Sequence, residues 1–565
     1  MDCELCIYLL LQLDLIPNNI GMACVSHVPL SYIFLRGQGI KISSLVTKEC
    51  SLQNTRIPTL KNYNEIEGND EGFEGAIVLE PEPGIYLDDP VSVLDYASLY
   101  PSSIIEKNLS HETFICTQSE LDTNPEKYEW IQYNKSPEDN VNVISYDDYN
   151  YQKKGKTTHK VKAGTQTTCY FKKADGDEND MDRPLGIIPT ILQTLLTQRK
   201  NTRKKIKQTD DDNKKKVLDG LQLAYKVTAN SVYGQMGART SSIFFKKIAA
   251  CTTSIGRERI YDARDGVVAW AENPGPSNKK DFNPTGMPFH KPIVVYGDTD
   301  SVFVKFSRIH HETGIELEGK EALEYCIQCG VEAGEWITKY LMHKPQDLEY
   351  EKTFYPFILI SKKRYTGDKY ELKADKPKER TSMGIVMKRR DNAAIVKYVF
   401  GNVIEIIMNQ KSVDKAMEWL DVSLKKIIEA RMPESMFIIS KSLRGYYKNP
   451  DGIAHKVLAD RMAERNPGDK PKPNDRIPYM YIKPTDEQLY DYENRYKSGP
   501  RKGKPREKKI LQGDRIEAPD YIRENDHLFI DFAFYISNQI MVPVKQVLDL
   551  VKDEGVTSEL FNKYL

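Results

Sequence analysis

Two aspartates, Asp298 and Asp300, sit inside the run Val294-Val295-Tyr296-Gly297-Asp298-Thr299-Asp300-Ser301-Val302-Phe303-Val304. β-rich residues flank a short polar interruption, which predicts a hairpin bending at Gly297 to Thr299. Side chains alternate along a strand, so the two carboxylates lean the same way if the extended geometry persists through the turn. At ~4 Å such charges repel by roughly 4 kcal/mol at an effective dielectric of 20, which calls for protonation, water or a cation between them. A third aspartate, Asp95, follows the strand-like Val91-Ser92-Val93-Leu94 and leads into the turn Tyr96-Ala97-Ser98-Leu99-Tyr100-Pro101. A carboxylate at the end of a buried strand is a natural start for an active-site loop. Lys226, Asn230 and Tyr233 share one helix face by i, i+4, i+7 spacing, and Arg199 and Arg203 lie one turn apart on the preceding helix. If these faces converge they form a cationic clamp for a polyphosphate, because Arg meets phosphate oxygens in pairs. The plainer reading of such a face is solvation.

Asp95 and Asp300, from separate strands, suit two divalent ions about 3.5–4 Å apart that clamp the attacking and leaving oxygens of an in-line phosphoryl displacement. One ion would lower the pKa of an attacking 3′-hydroxyl. The other would neutralise a triphosphate and its departing pyrophosphate, with Arg199, Arg203 and Lys226 adding fixed positive charge. Mg2+ fits a site with few carboxylates, with Mn2+ able to stand in, because it keeps waters and substrate phosphates as ligands.

The elements that must position these groups are legible in outline. Ile188, Ile191, Leu192, Leu195 and Leu196 mark one face of a helix that continues through Arg199 and Arg203. After a break at Asp210 to Asn213, Val217, Leu218, Leu221, Ala224 and Tyr225 suggest a second helix, so the two read as an antiparallel hairpin. Phe357-Ile358-Leu359-Ile360-Ser361 is an apolar strand delivering Lys362, Lys363, Arg364 and Tyr365, a mixture of cations and an aromatic ring that suits a nucleic-acid backbone. Residues 47–75 read as a polar linker, and 116–183 as a surface insertion with little periodicity, partly mobile. Helical patterns dominate from 391 onward, and Lys497 to Lys509 reads as a flexible basic loop.

At 565 residues, the chain is too long for a single core. Lys plus Arg and Asp plus Glu are both 81, so any nucleic-acid partner must be met by local basic patches rather than by net charge. Two cysteine pairs have CxxC spacing, Cys3 with Cys6 and Cys326 with Cys329, but neither has further ligands nearby to complete a metal site. Both pairs are expected to be buried reduced thiols, which suits an intracellular protein that is not secreted. The apolar run Leu5 to Leu13 is too short for a membrane span and lacks the basic flank of a leader, so no membrane partner is expected.

Asp95-Tyr-Ala-Ser-Leu-Tyr-Pro-Ser102, Lys226-Val-Thr-Ala-Asn-Ser-Val-Tyr-Gly234 and Tyr296-Gly-Asp-Thr-Asp-Ser301 resemble, in order, motifs A, B and C of family B DNA-directed DNA polymerases. Lys362-Lys-Arg-Tyr365 resembles the family's element that grips the primer-template minor groove, and Phe73-Glu-Gly-Ala76 the short motif between exonuclease and polymerase modules. The wording around the motifs is similar to the delta-type branch of eukaryotes and their large DNA viruses. The resemblance implies an α+β, multidomain right hand: a mixed and antiparallel palm sheet with helices, helical fingers and a mostly helical thumb. Its parts would be palm at 76–115 and 238–390, fingers at 184–237 and thumb at 391–565, with 1–46 the end of an exonuclease domain.

The resemblance also assigns roles. Asp95 and Asp300 would bind metal, with Asp298 auxiliary and Leu99 offering a backbone group. Tyr100 would pack under the sugar as a steric gate, with Ser98 and Leu99 also binding the nucleotide. Arg199, Arg203, Lys226 and Asn230 would hold the triphosphate, Lys226 would also serve as a general acid, and Tyr233 would sit near the nascent base pair. Gly75, Thr299 and Lys362 to Tyr365 would meet DNA. Implied partners are primer-template DNA, deoxynucleoside triphosphates, a sliding clamp and a separately encoded N-terminal exonuclease part. The implied location is the nucleus or a viral replication site in the cytoplasm. Asp2 stands where the exonuclease's last catalytic aspartate would be, and one carboxylate cannot hold two metals, so proofreading by this chain is not expected. Two rival readings stay open: a DNA-binding fragment or scaffold that does not turn over, and an RNA-templated polymerase, since palm carboxylates serve there too.

Overall fold

The computed structural model describes residues 2–56, 72–128, 141–154, 157–176, 183–272, 289–508 and 510–565. The chain divides into two compact units, one of Met1–Glu80, Ser92–Leu317 and Glu324–Lys352, the other of Pro81–Val91, Glu318–Leu323 and Thr353–Leu565.

Helices α1 (Asp2–Gln12), α2 (Leu15–Ser26), α3 (Leu30–Leu35) and α4 (Gln38–Leu52) open the first unit. α4 buries Ile42, Leu45, Val46 and Cys50, so its apolar stripe carries the helix past residue 47, where a linker was expected to begin. Most of the remaining linker, 57–71, lies outside the described residues. Cys326 and Cys329 are buried as expected, whereas Cys6 is exposed, because α1 presents its apolar side chains outward. Among the described residues no single helix is long and apolar enough to cross a membrane, though the bent pair Glu4–Gln12 and Leu15–Ser26 is by length and composition.

The chain continues through β1 (Gly72–Phe73), β2 (Gly84–Tyr86), β3 (Val91–Tyr96), α5 (Leu99–Glu106), β4 (Phe114–Thr117), β5 (Val141–Lys154) and β6 (Thr157–Lys172). Here the expectation of an aperiodic surface insertion fails. β1, β5, β6 and β4 form an antiparallel sheet in that order. Ile144, Tyr146, Cys169 and Phe171 are buried in the core that also takes in Ile188 and Leu192. Thr, Val and Tyr favour a pleated, half-buried surface, and one strand face left in water makes such a segment look loop-like in composition. Residues 129–140, 155–156 and 177–182 of the stretch lie outside the description.

The predicted helical hairpin is present as α6 (Ile187–Lys207) and α7 (Asp212–Gly237). Ile188, Ile191, Leu192 and Leu195 are buried, and Asp211 caps α7 by accepting from the backbone N–H groups of Asn213 (2.9 Å) and Lys214 (3.2 Å). The long α8 (Lys246–Glu272) follows, then β7 (Ile293–Asp298), β8 (Ser301–Lys305), α9 (Gly319–Leu341) and β9 (Leu348–Ser361). In the first unit the strand order is β9, β3, β8, β7, with the first residues of β9 contributing. Its core holds Leu94, Tyr96, Val302, Val304 and Trp270, the last stacked on Phe289 with ring centroids 4.3 Å apart.

In the second unit β9 pairs with β2 on one side and with β10 (Arg364–Tyr370) on the other, and β11 (Glu379–Met383) adds to β10. Helices α10 (Ala394–Gln410) and α11 (Val413–Ile428) lie where periodicity placed them and bury Phe400, Val403, Leu420 and Leu424 in one core. The segment beyond 391 is less uniformly helical than expected: β12 (Ile439–Ser442) pairs with β13 (Arg476–Tyr481), and β14 (Tyr490–Arg495) with β15 (Pro505–Glu507), while β16 (Ile516–Glu517) extends the β12, β13 sheet. The basic stretch from Lys497 thus closes a hairpin rather than forming a free loop, with Arg501 paired to Glu507 at 3.0 Å.

Candidate active site

β3 delivers Asp95. Val91 to Leu94 are buried and anchor the strand, leaving Asp95 half-buried at its end. The N–H of Tyr96 donates to the Asp300 carbonyl at 2.8 Å, which sets the turn between β7 and β8 beside the end of β3. The chain then reverses at Ser98, whose φ is 64°, and α5 begins at Leu99. Leu99 is buried in the core, and its carbonyl already accepts from the Ser103 hydroxyl at 2.8 Å. Tyr100 is half-buried, its ring 4.6 Å from that of Tyr233 on α7.

The bend of the carboxylate hairpin falls one step later than expected. Asp298 pairs with Ser301 and Gly297 with Val302, so Gly297 lies within β7 and the turn is Thr299-Asp300. A β-carbon on Gly297 would sit 2.6 Å from Leu79 Cδ1, so close packing rather than turning explains the glycine. Thr299, at φ 62°, interrupts the extended backbone, and the two aspartates consequently separate in role. Asp298 accepts from the Thr299 hydroxyl (3.0 Å) and the Tyr296 hydroxyl (3.4 Å). Asp300 instead confronts Asp95.

The electrostatics report that confrontation. Burial raises the Asp95 carboxyl, and the charges of Asp300 and Glu351 raise it further, to about 8, against the opposing pull of Lys352 and Lys226. Asp300 is raised as well, chiefly by burial and then by Asp298 and Glu351, with Lys226 again opposing and its own backbone N–H holding it down. The charge of Lys226 on α7 therefore acts on both carboxylates. From α6, Arg199 Nε donates to Gln222 Oε1 at 3.4 Å, one turn before Lys226, which joins the two cationic faces. Burial and the neighbouring Arg203 lower the Arg199 guanidinium, while Glu349 opposes them. Lys226, Asn230 and Arg203 are exposed and open to a ligand.

Gly75 joins the same neighbourhood through backbone contacts. Its carbonyl and that of Glu74 each accept from Arg257 at 3.1 Å, and Glu74 also accepts from the Thr253 hydroxyl at 2.7 Å. Just beyond, the Ile77 carbonyl accepts from the Thr299 N–H at 3.1 Å. The second unit carries Lys362 and Lys363 on the two-residue turn between β9 and β10, both exposed, with Arg364 half-buried. Tyr365 corrects the expectation of an aromatic offered to a ligand: its ring is buried against Phe354 and Phe357, 5.9 and 5.7 Å away, because the strand's alternation turns it inward.

Sequence reading missed Glu351, Lys352, Gly256 and Arg257. The first two could have been flagged as a charge pair interrupting an apolar strand; the latter two lie in an unremarkable helical run. The donor set suits a hard cation: two half-buried carboxylates repel one another, and burial already opposes their ionisation. Among the described residues no group of three or more His, Cys, Asp or Glu that could hold a metal ion converges.

The sequence profile described as DNA polymerase family B matches residues 28–551. A DNA polymerase of Pyramimonas orientalis virus is 42% identical, the match covering 97% of this chain and 43% of the relative. The DNA polymerase delta catalytic subunit of Candida albicans is 32% identical over 99% of this chain and 45% of its own length. The chain thus spans under half the length of these relatives. The family B DNA polymerase from the hyperthermophilic archaeon Pyrobaculum calidifontis shares the fold, with a TM-score of 0.58 and 22% identity over 96% of this chain and 55% of that structure.

Proposed function

Because the chain belongs to DNA polymerase family B, we propose that it performs template-directed DNA synthesis, adding deoxynucleotides from their triphosphates to a primer 3′-hydroxyl. The observation that carries this reading is the end of β3 held beside the hairpin turn, the Tyr96 N–H donating to the Asp300 carbonyl at 2.8 Å, with the Asp300 charge raising Asp95 and Lys226 acting on both carboxylates. In this reading the first unit supplies palm and fingers, and the second the remaining palm strands and the thumb.

Asp95 and Asp300 would hold two Mg2+ ions, with Mn2+ as a substitute. The chemistry such ions supply when bound is acidification of the primer 3′-hydroxyl and neutralisation of triphosphate charge. The chain's own residues do the rest. Arg199, Arg203, Lys226 and Asn230 receive the triphosphate along the joined faces of α6 and α7, and the Lys226 ammonium holds a proton where the leaving pyrophosphate gathers charge. Asp298, tied to Thr299 and Tyr296, stands behind Asp300. The Tyr100 ring occupies the space beneath the sugar, so a 2′-hydroxyl meets an aromatic wall. Lys362 and Lys363 offer point charges to phosphates of the primer-template.

Primer extension with Mg2+ tests the proposal. The wild-type chain should extend a DNA primer, Asp300→Ala should abolish extension, and Tyr100→Ala should raise ribonucleotide incorporation. Binding of primer-template without extension would instead favour a scaffold fragment, and retained activity in Asp300→Ala would sink the assignment.

A further inference from the structure

Gly256 lies in the middle of α8, fully buried, where that helix passes the start of α5. A β-carbon built on it falls 2.8 Å from Tyr100 Cε1, 3.4 Å from Tyr100 Cδ1 and 3.5 Å from Leu99 Cδ2. The closest of these is nearer than side chains approach one another, and its target is the edge of a rigid ring, which cannot fold away as a flexible chain end could. No backbone requirement explains the glycine, since Gly256 is not among the residues of positive φ, and a helix interior favours alanine over glycine. What remains is the close approach. The same Tyr100 ring meets Tyr233 at 4.6 Å. The next residue on α8, Arg257, reaches both tyrosines electrostatically while its guanidinium holds the Glu74 and Gly75 carbonyls.

We propose that Gly256 is a positioning residue for sugar selection: by carrying no side chain it lets the Tyr100 ring seat against the α8 backbone, and so fixes the room left above the ring for the nucleotide sugar. This rests on the reading of Tyr100 as the ring beneath that sugar. The difference between the two sugars is one oxygen atom, so a displacement of the ring by a fraction of an ångström is enough to matter. Adding the β-carbon forces the ring off α8 and into the nucleotide's space. The penalty falls on nucleotide binding rather than on the metal-holding carboxylates.

The test is single-nucleotide insertion kinetics on primer-template for wild type, Gly256→Ala, Tyr100→Ala and the double variant, with deoxy- and ribonucleoside triphosphates. Gly256→Ala should raise the KM for the deoxynucleotide at least about fivefold with kcat within about twofold, and the same substitution should change KM by less than about twofold once the ring is gone. KM and the ratio of the two sugars are read within one preparation, so partial misfolding does not mimic the effect. A KM for Gly256→Ala within about twofold of wild type, or an equal penalty in both backgrounds, would overturn the inference. If Tyr100→Ala leaves the deoxy-to-ribo ratio unchanged, the gate reading falls, while the coupling between positions 256 and 100 still decides whether the glycine seats the ring.

Discussion

Replacing Asp95 with asparagine should end catalysis and yet make the metal-free protein more stable at alkaline pH. Burial, with Asp300 and Glu351 close by, lifts this carboxyl from 3.8 to about 8. The folded protein therefore keeps a proton that the unfolded chain releases near pH 4. The stability tied to that proton is complete below about pH 4 and declines as pH rises, until it is lost above about 8. At about 1.36 kcal/mol per pH unit the displacement corresponds to a ceiling of about 6 kcal/mol. Water reaches these half-buried groups and the pair titrates jointly, so the expected loss between pH 5 and 9 is smaller, about 2–4 kcal/mol. The amide introduced by Asp95→Asn carries no charge to desolvate. Urea unfolding in EDTA across that range should show the wild type losing stability with pH more steeply than Asp95→Asn, which keeps the raised Asp300, the gap widening from about pH 5 and levelling above about 8. Added Mg2+ should restore the wild type and leave the variant unmoved, because binding to the folded state alone stabilises it. Parallel curves for the two proteins, with or without Mg2+, would refute the claim that the two carboxylates are held against their own repulsion.

In the proposed polymerase reaction Asp298→Asn should retain activity to within about tenfold in single-turnover assays, since its side chain is held by Thr299 and Tyr296 and its charge bears on Asp300. Trp270→Ala should cost about 3–5 kcal/mol in urea unfolding, because the ring is fully buried and stacked on Phe289. Primer-template affinity should fall steeply and linearly on a log-log salt plot, and Lys362→Ala with Lys363→Ala should flatten the slope by about one to two. A slope unchanged by losing both lysines would remove that turn from the DNA contact.

The candidate site residues could be named from the chain because each motif is locally spaced. Lys226, Asn230 and Tyr233 share a face by helical geometry alone, Ile188 to Leu195 announced α6, and the three motifs named the family. The antiparallel sheet of β1, β5, β6 and β4 was not legible: β5 exposes Val143 and Ser145 between the buried Ile144 and Tyr146, much of β6 is exposed, and such a Lys- and Tyr-rich stretch reads as loop until its pairing partners are known. Other matters were decided only by tertiary contacts. Which of Asp298 and Asp300 faces Asp95 depends on a positive φ at Thr299, and the inward turn of Tyr365 on its packing against Phe354 and Phe357. The reason for glycine at 297 and 256 lies in Leu79 and Tyr100, each well over a hundred residues away. Sequence states what a segment prefers; which side chains must share a space is set where distant segments meet, and no local pattern records that.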